Sequence, residues 1–264
     1  MAAGYEDGDS TRLVLSLSRL FRSKDASAIQ STPKKPALWK TRMYSLRHSS
    51  DDTTSSRPVW WPLTGLATIM TMLAIPLLDR GWSSWAHAIL PPWKPVFIWM
   101  TRPAEMAAPL GALYLLLAAL AAASGRWRPG RMGWALIAAA LAALVAVPVK
   151  DELKYLFGRP WPETWIDNNP SWIGNGIFGF FPLHGGRGWA SFPSGHTTMI
   201  TAPMAALRDR LPELRGFWLL PVACVAIGLL GADFHFISDV TAGMLTGITC
   251  GAGLSTIIRS SERS

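Results

Sequence analysis

The run WWPLTGLATIMTMLAIPLL, beginning at Trp60, continues for about 19 residues without a charge. At about 1.5 Å of rise per residue, such a helix nearly matches the roughly 30 Å hydrocarbon core of a bilayer. Two further runs, AEMAAPLGALYLLLAALAAAS (104–124) and MGWALIAAALAALVAVPV (132–149), are rich in the helix formers Ala and Leu. After a long interruption come a segment at about 193–207, GFWLLPVACVAIGLLGA (216–232), and a segment at about 238–258. The segment at 193–207 has the weakest apolar character, because Thr, Pro and Gly dilute it. With 50% hydrophobic and only 16% charged residues, the expected fold is all-α: a polytopic membrane protein of six transmembrane helices.

The basic residues orient these spans. If the chain before Trp60 is cytoplasmic, the inner loops are GRWRPGR (125–131) and RDRLPELR (208–215), each with three Arg, plus a tail with Arg259 and Arg263. The segment before Trp60 adds ten Lys or Arg, so the basic excess falls on one side, as the positive-inside rule requires. The outer connections are then 80–103, 150–192 and 233–237.

Residues 1–59 are rich in Ser, Thr, Lys, Arg and Asp and contain no run long enough for a span or a signal peptide. They are expected to be a basic, largely disordered cytoplasmic segment. Within it, TRLVLSLSRLFRS (11–23) suits either a short basic helix on an anionic membrane surface or solvated disorder. Residues 60–258 form the expected six-helix membrane domain, and 259–264 a cytoplasmic tail. Cys224 and Cys250 fall inside predicted spans, where a thiol behaves as a small hydrophobe. There is no internal repeat.

Three polar clusters converge on the outer side of this topology: KDELKYLFGRPWPETW (150–165), FPSGH at the start of the fourth span, and GADFHFISD (231–239). His235 and Asp239 are four residues apart, so on a helix the carboxylate would bond one imidazole nitrogen and leave the other free to attack. His196 is a second imidazole, suited to protonating a leaving oxygen. Lys154 and Arg159 bring positive charge, while Ser194, Gly195 and the free amides of a helix start can cradle an anion. A nucleophile, an acid and an anion clamp describe phosphoryl transfer.

Each residue alone has a blander reading. His235 suits an interfacial position, Asp239 and Ser194 suit helix N-caps, and Lys154 and Arg159 suit snorkelling at the membrane boundary. Trp161, Trp165 and Trp172 suit an interfacial belt. Their joint placement on one face favours a site, since the separate bland readings must all hold at once.

These residues resemble the type 2 phosphatidic acid phosphatases, membrane lipid phosphate phosphatases related to vanadium haloperoxidases. The second motif, Pro-Ser-Gly-His, is complete at Pro193, Ser194, Gly195 and His196; the third motif's His-x-x-x-Asp is His235 and Asp239; the first motif's lysine matches Lys154. The resemblance covers about residues 60–258. It implies a phosphohistidine on His235, orientation of that ring by Asp239, protonation of the leaving alkoxide by His196, and no metal or cofactor.

Two positions depart from the family pattern. Trp161 stands where the first motif has an arginine, and Gly228 and Leu229 stand where the third has Ser-Arg. Arg159 and Arg187 are the candidates to replace the missing phosphate-binding arginines.

The expected activity is hydrolysis of a phosphoric monoester or diphosphate at the outer face of a membrane, most simply a bacterial inner membrane with its periplasmic face. Substrate candidates are phosphatidic acid, phosphatidylglycerol phosphate, a polyprenyl diphosphate and the phosphate of lipid A. Membrane lipids are the expected partners, and no nucleic acid is expected. A phosphotransferase with the same intermediate and a non-catalytic membrane scaffold are the alternatives.

Overall fold

The structure, a computed structural model, describes residues 60–125 and 127–263; the expectations for residues 1–59 lie outside the described residues. It is helical, with no strand among the described residues. Helix α1 spans Trp60–Leu77 and α2 Asp79–Ile89; α3 spans Lys94–Ala123 and α4 Arg131–Phe157. A one-turn helix α5 (Trp172–Asn175) lies in the long connection, followed by α6 (Gly195–Arg210), α7 (Leu219–Gly231) and α8 (Ile237–Arg263).

Six of these helices stand where the six apolar segments were read. Length and apolarity suffice for a crossing in three, Pro91–Ala123, Arg131–Phe157 and Ile237–Ser260. A fourth is the α1–α2 pair, bent by 70° where α1 ends just beyond Pro76. Proline lacks the N–H that would continue the hydrogen-bond ladder, so a bend there has a local cause. At 13 residues, α7 reaches only about 20 Å.

The dilute apolar character of α6 has a packing explanation. Apart from His196, Met199 and Met204, its residues from Gly195 to Leu207 are buried, and it packs against α3, α4, α7 and α8. A helix that faces other helices rather than lipid does not need a long aliphatic run. Exposed apolar side chains concentrate instead on α1 (Leu66, Ile69, Met72, Leu73) and α3 (Leu110, Leu113, Leu116, Leu117, Leu120).

Small residues set the α6–α8 contact. Gly243, Gly247 and Gly251 recur every fourth residue on one face of α8 and meet the α6 backbone. A Cβ at Gly243 would lie 2.6 Å from Ser194 O, and one at Gly251 only 2.3 Å from Ala202 O. This close approach brings the start of α6 to the start of α8, where the Ser194 amide donates to Asp239 O at 2.9 Å.

Two features differ from expectation. α3 begins ten residues before 104, and the supposed plain connection 80–103 contains α2. Asp79, Ser83 and Ala86 form the buried stripe of α2 at helical spacing. Because that stripe is polar or small, a hydropathy reading passes over it. α4 extends past 149 and carries Lys150 and Lys154 before stopping at Gly158, whose φ of 54° is left-handed. Only glycine fits there: a Cβ would lie 1.9 Å from Phe181 O. Cys224 and Cys250 are free thiols.

Gly251→Ala should lower the melting temperature of the detergent-solubilised protein, corresponding to about 1–3 kcal/mol for overpacking. Gly253→Ala, two residues along the same helix where a Cβ meets nothing within 4 Å, should be neutral or slightly stabilising. Equal effects at both positions would mean that the glycine stripe does not set the helix contact.

Candidate active site

His235 lies in the turn between α7 and α8, not on a helical face as its spacing to Asp239 suggested; Asp239 sits in the first turn of α8. The carboxylate reaches back over that turn. Its Oδ2 lies 3.3 Å from His235 Nδ1 and accepts from the Phe236 amide at 3.1 Å and from Ser191 Oγ at 2.5 Å. His235 is thereby held by Nδ1, which turns Nε2 away from the carboxylate. Burial pushes the His235 imidazole below its ordinary range, outweighing the neighbouring Asp239, and so favours the neutral ring.

The other oxygen of Asp239 is committed to Arg159. Arg159 Nη1 donates to Asp239 Oδ1 at 2.6 Å and to Ser238 Oγ at 2.6 Å, while Nη2 donates to Asp79 Oδ2 at 2.8 Å. Asp79 in turn accepts from the Ser238 amide at 2.9 Å and from the Ser238 hydroxyl. Arg159 and both carboxylates are 0% exposed. The guanidinium carbon lies 4.4 Å from the Phe236 ring centroid and 4.8 Å from that of Phe180. This corrects the expectation for Arg159: its charge is spent on two buried carboxylates rather than turned toward a phosphate.

Lys154 does face the start of α6. Its Nζ donates to Ala190 O at 2.6 Å and lies 5.5 Å from the Trp161 ring centroid. A Cβ on Gly195 would be 3.5 Å from that Nζ, an ordinary contact, and 3.2 Å from Lys150 Cδ, so both lysine side chains lie close over the helix N-terminus. Ser194 is the N-cap of α6, accepting from the Thr197 amide and hydroxyl. His196 is partly exposed on the first turn of α6, with Nε2 3.7 Å from Glu105 Oε1 and within electrostatic reach of His235 and Lys154.

Arg187 is placed differently. Its side chain is 75% exposed and lies 3.9 Å from Asp167, while its backbone carbonyl accepts from Trp161 Nε1 at 2.7 Å. The side chain is turned to the surface, so the second expected replacement is not found at the site either. Where the family pattern has an arginine, the buried Trp161 places its ring centroid 5.0 Å from that of His235.

Asp79, Ser191, Ser238 and Glu105 were not anticipated. Ser191 carried a weak signal, standing two residues before the Pro-Ser-Gly-His motif. Asp79 carried none beyond being a lone carboxylate after an apolar run.

Comparison with known proteins identifies the family. Residues 130–263 match the family model described as the PAP2 superfamily, which takes in α4, α6, α7, α8 and every motif residue above. Over 95 residues the chain is 32% identical to lipid A 1-phosphatases of Rhizobium etli and Rhizobium johnstonii. That match covers 36% of this chain and 38% and 36% of the two relatives, so the chain spans little more than a third of their length. No solved structure matches. With half of its length and all three polar clusters inside the matched region, the chain belongs to the PAP2 superfamily of type 2 phosphatidic acid phosphatases.

Proposed function

We propose that this membrane phosphatase hydrolyses a lipid phosphate or diphosphate through a phosphohistidine on His235. The observation that carries the reading is the buried imidazole held by its Nδ1 against Asp239, which leaves Nε2 as a neutral nucleophile. Nε2 attacks phosphorus, the bond from phosphorus to the lipid oxygen breaks, and His196 gives that oxygen a proton. Water then attacks the phosphohistidine, His196 takes the water's proton, the P–N bond breaks, and inorganic phosphate leaves. Lys154 and the free amides at the start of α6 receive the phosphate oxygens, and Ser194 secures that helix start. No residue in this scheme requires a metal.

Arg159 enters as a positioning residue. By holding Asp239 Oδ1 it leaves Oδ2 for His235, Ser191 and the Phe236 amide. The outer face of a bacterial inner membrane is the setting we favour, from the Arg-rich short loops. The similarity to lipid A 1-phosphatases makes a lipid A phosphate the first substrate to test.

A phosphate-release assay over a panel of lipid phosphates, with acid-labile phosphoenzyme trapping, tests the proposal. His235→Ala should abolish both signals; full turnover in that variant would reject the mechanism. Phosphate release, rather than transfer to a lipid or sugar hydroxyl, distinguishes hydrolase from phosphotransferase. The acidic limb of the kcat/KM–pH profile should lie below the ordinary imidazole value, since a lowered folded-state pKa keeps His235 neutral as pH falls.

Arg159→Gln should lower kcat on the order of 10²-fold with little change in KM, as expected for a group acting through Asp239. It should also move the acidic limb to higher pH, because the imidazolium loses a positive neighbour. It should cost stability, with about 3–5 kcal/mol typical for breaking a buried pair. A raised KM with an unmoved limb would instead return Arg159 to the phosphate.

For topology, a cysteine introduced at the exposed Gly176 should be labelled from outside the cell, and one at Pro129 should not. The reverse pattern would put the site on the inner face.

A further inference from the structure

A second cluster of chemically capable side chains stands beside the turn that carries His235. His87 from α2, Glu163 from the long connection and Asp233 from the α7–α8 turn bring one donor atom each to within 4.8 Å of one another. His87 Nδ1 is 3.6 Å from Asp233 Oδ2 and 4.0 Å from Glu163 Oε1. Neither the sequence motifs nor the proposed reaction uses any of the three.

The hydrogen bonding around the cluster is lopsided in a way that points to a ligand. Asp233 is 4% exposed. Its Oδ1 accepts from Ser83 Oγ at 2.9 Å, yet its Oδ2 is buried with no hydrogen-bond partner. A buried carboxylate oxygen without a donor is costly. Glu163 is divided the same way: Oε2 binds Lys94 Nζ at 2.5 Å, which leaves Oε1 toward His87. In both carboxylates one oxygen is anchored by the protein and the other faces the same small space. Asp233 is also held at φ 55°, a conformation that Asp tolerates better than most residues but that still needs surrounding support.

We propose that His87, Glu163 and Asp233 form a binding site for a divalent transition cation of the zinc class. One imidazole nitrogen and two carboxylate oxygens are a donor set that Zn²⁺ accepts at about 2.0–2.2 Å. Tetrahedral bonds of that length separate donors by about 3.4 Å; the donors here stand 3.6 Å, 4.0 Å and at most 4.8 Å apart, so side-chain rotation would draw them onto the ion. Three protein ligands leave a fourth position for water. Ser83 on Asp233 and Lys94 on Glu163 serve as outer partners that orient the ligands. The His87 side chain is 42% exposed, which gives a cation an entry path. An ion there would tie α2 and the long connection to the turn two residues before His235.

The test reads binding, so it stands or falls apart from the phosphatase proposal. Tag-free protein in detergent, loaded with Zn²⁺ and dialysed, should retain about one ion per chain, with an X-ray absorption first shell of N and O near 2.0–2.1 Å. His87→Ala, at an exposed side chain, and Asp233→Asn, which keeps the shape and tolerates positive φ, should each weaken zinc binding roughly tenfold or more in a chelator competition. His235→Ala should bind zinc as the unaltered chain does. The site is overturned if zinc is not retained, if sulfur appears in the first shell, or if His87→Ala keeps full affinity. Loss of zinc in His235→Ala but not in His87→Ala would likewise overturn it.

Discussion

Arg159 carries a full positive charge at 0% exposure, and the candidate site is arranged around that fact. Removing a guanidinium from water is expensive even after the protein relaxes, and only well-placed partners offset the cost. Asp79 from α2 and Asp239 from α8 occupy its two terminal nitrogens, with Ser238 bonded to both Arg159 and Asp79. Four aromatic rings, those of Phe178, Phe180, Phe192 and Phe236, close around it at 4.4 to 5.9 Å. Segments far apart in the chain are thereby pinned to one point. The carboxylate that orients His235 is one of the pins.

The position of Trp161 belongs with this arrangement. An indole beside His235 where relatives by motif carry a guanidinium removes a fixed charge and adds an apolar wall. Lys154 over that ring and Lys150 near Gly195 are the cations nearest the start of α6 on the α4 side. The two terminal nitrogens of Arg159 are committed to Asp79, Ser238 and Asp239, so positive charge at the helix start comes from flexible ammonium groups rather than from planar donors.

Much of this was legible in the sequence, and the parts that were not have physical reasons. Six helices fall where apolar runs were read, because burial and lipid exposure both demand apolar side chains. The Pro-Ser-Gly-His motif marked the α6 start correctly, since an N-cap serine is a local signal. Long-range pairing was invisible: nothing in a single sequence joins Asp79 to Arg159 across 80 residues. Arg159 was read as a phosphate ligand for the same reason, its carboxylate partners being unseen. α2 escaped because its buried stripe is made of Asp, Ser and Ala, whose burial rests on hydrogen bonds and size rather than on hydropathy.

The glycine stripe of α8 has a consequence for traffic within the bilayer. Where Gly243, Gly247 and Gly251 press on α6, they meet its backbone and the Cβ atoms of Thr197, Thr201 and Ala205, with no long side chain to swing aside and open a slit. Two helices in backbone contact move as one body, and the Ser194–Asp239 hydrogen bond joins their N-terminal ends. A lipid tail approaching sideways therefore has no passage through the α6–α8 seam.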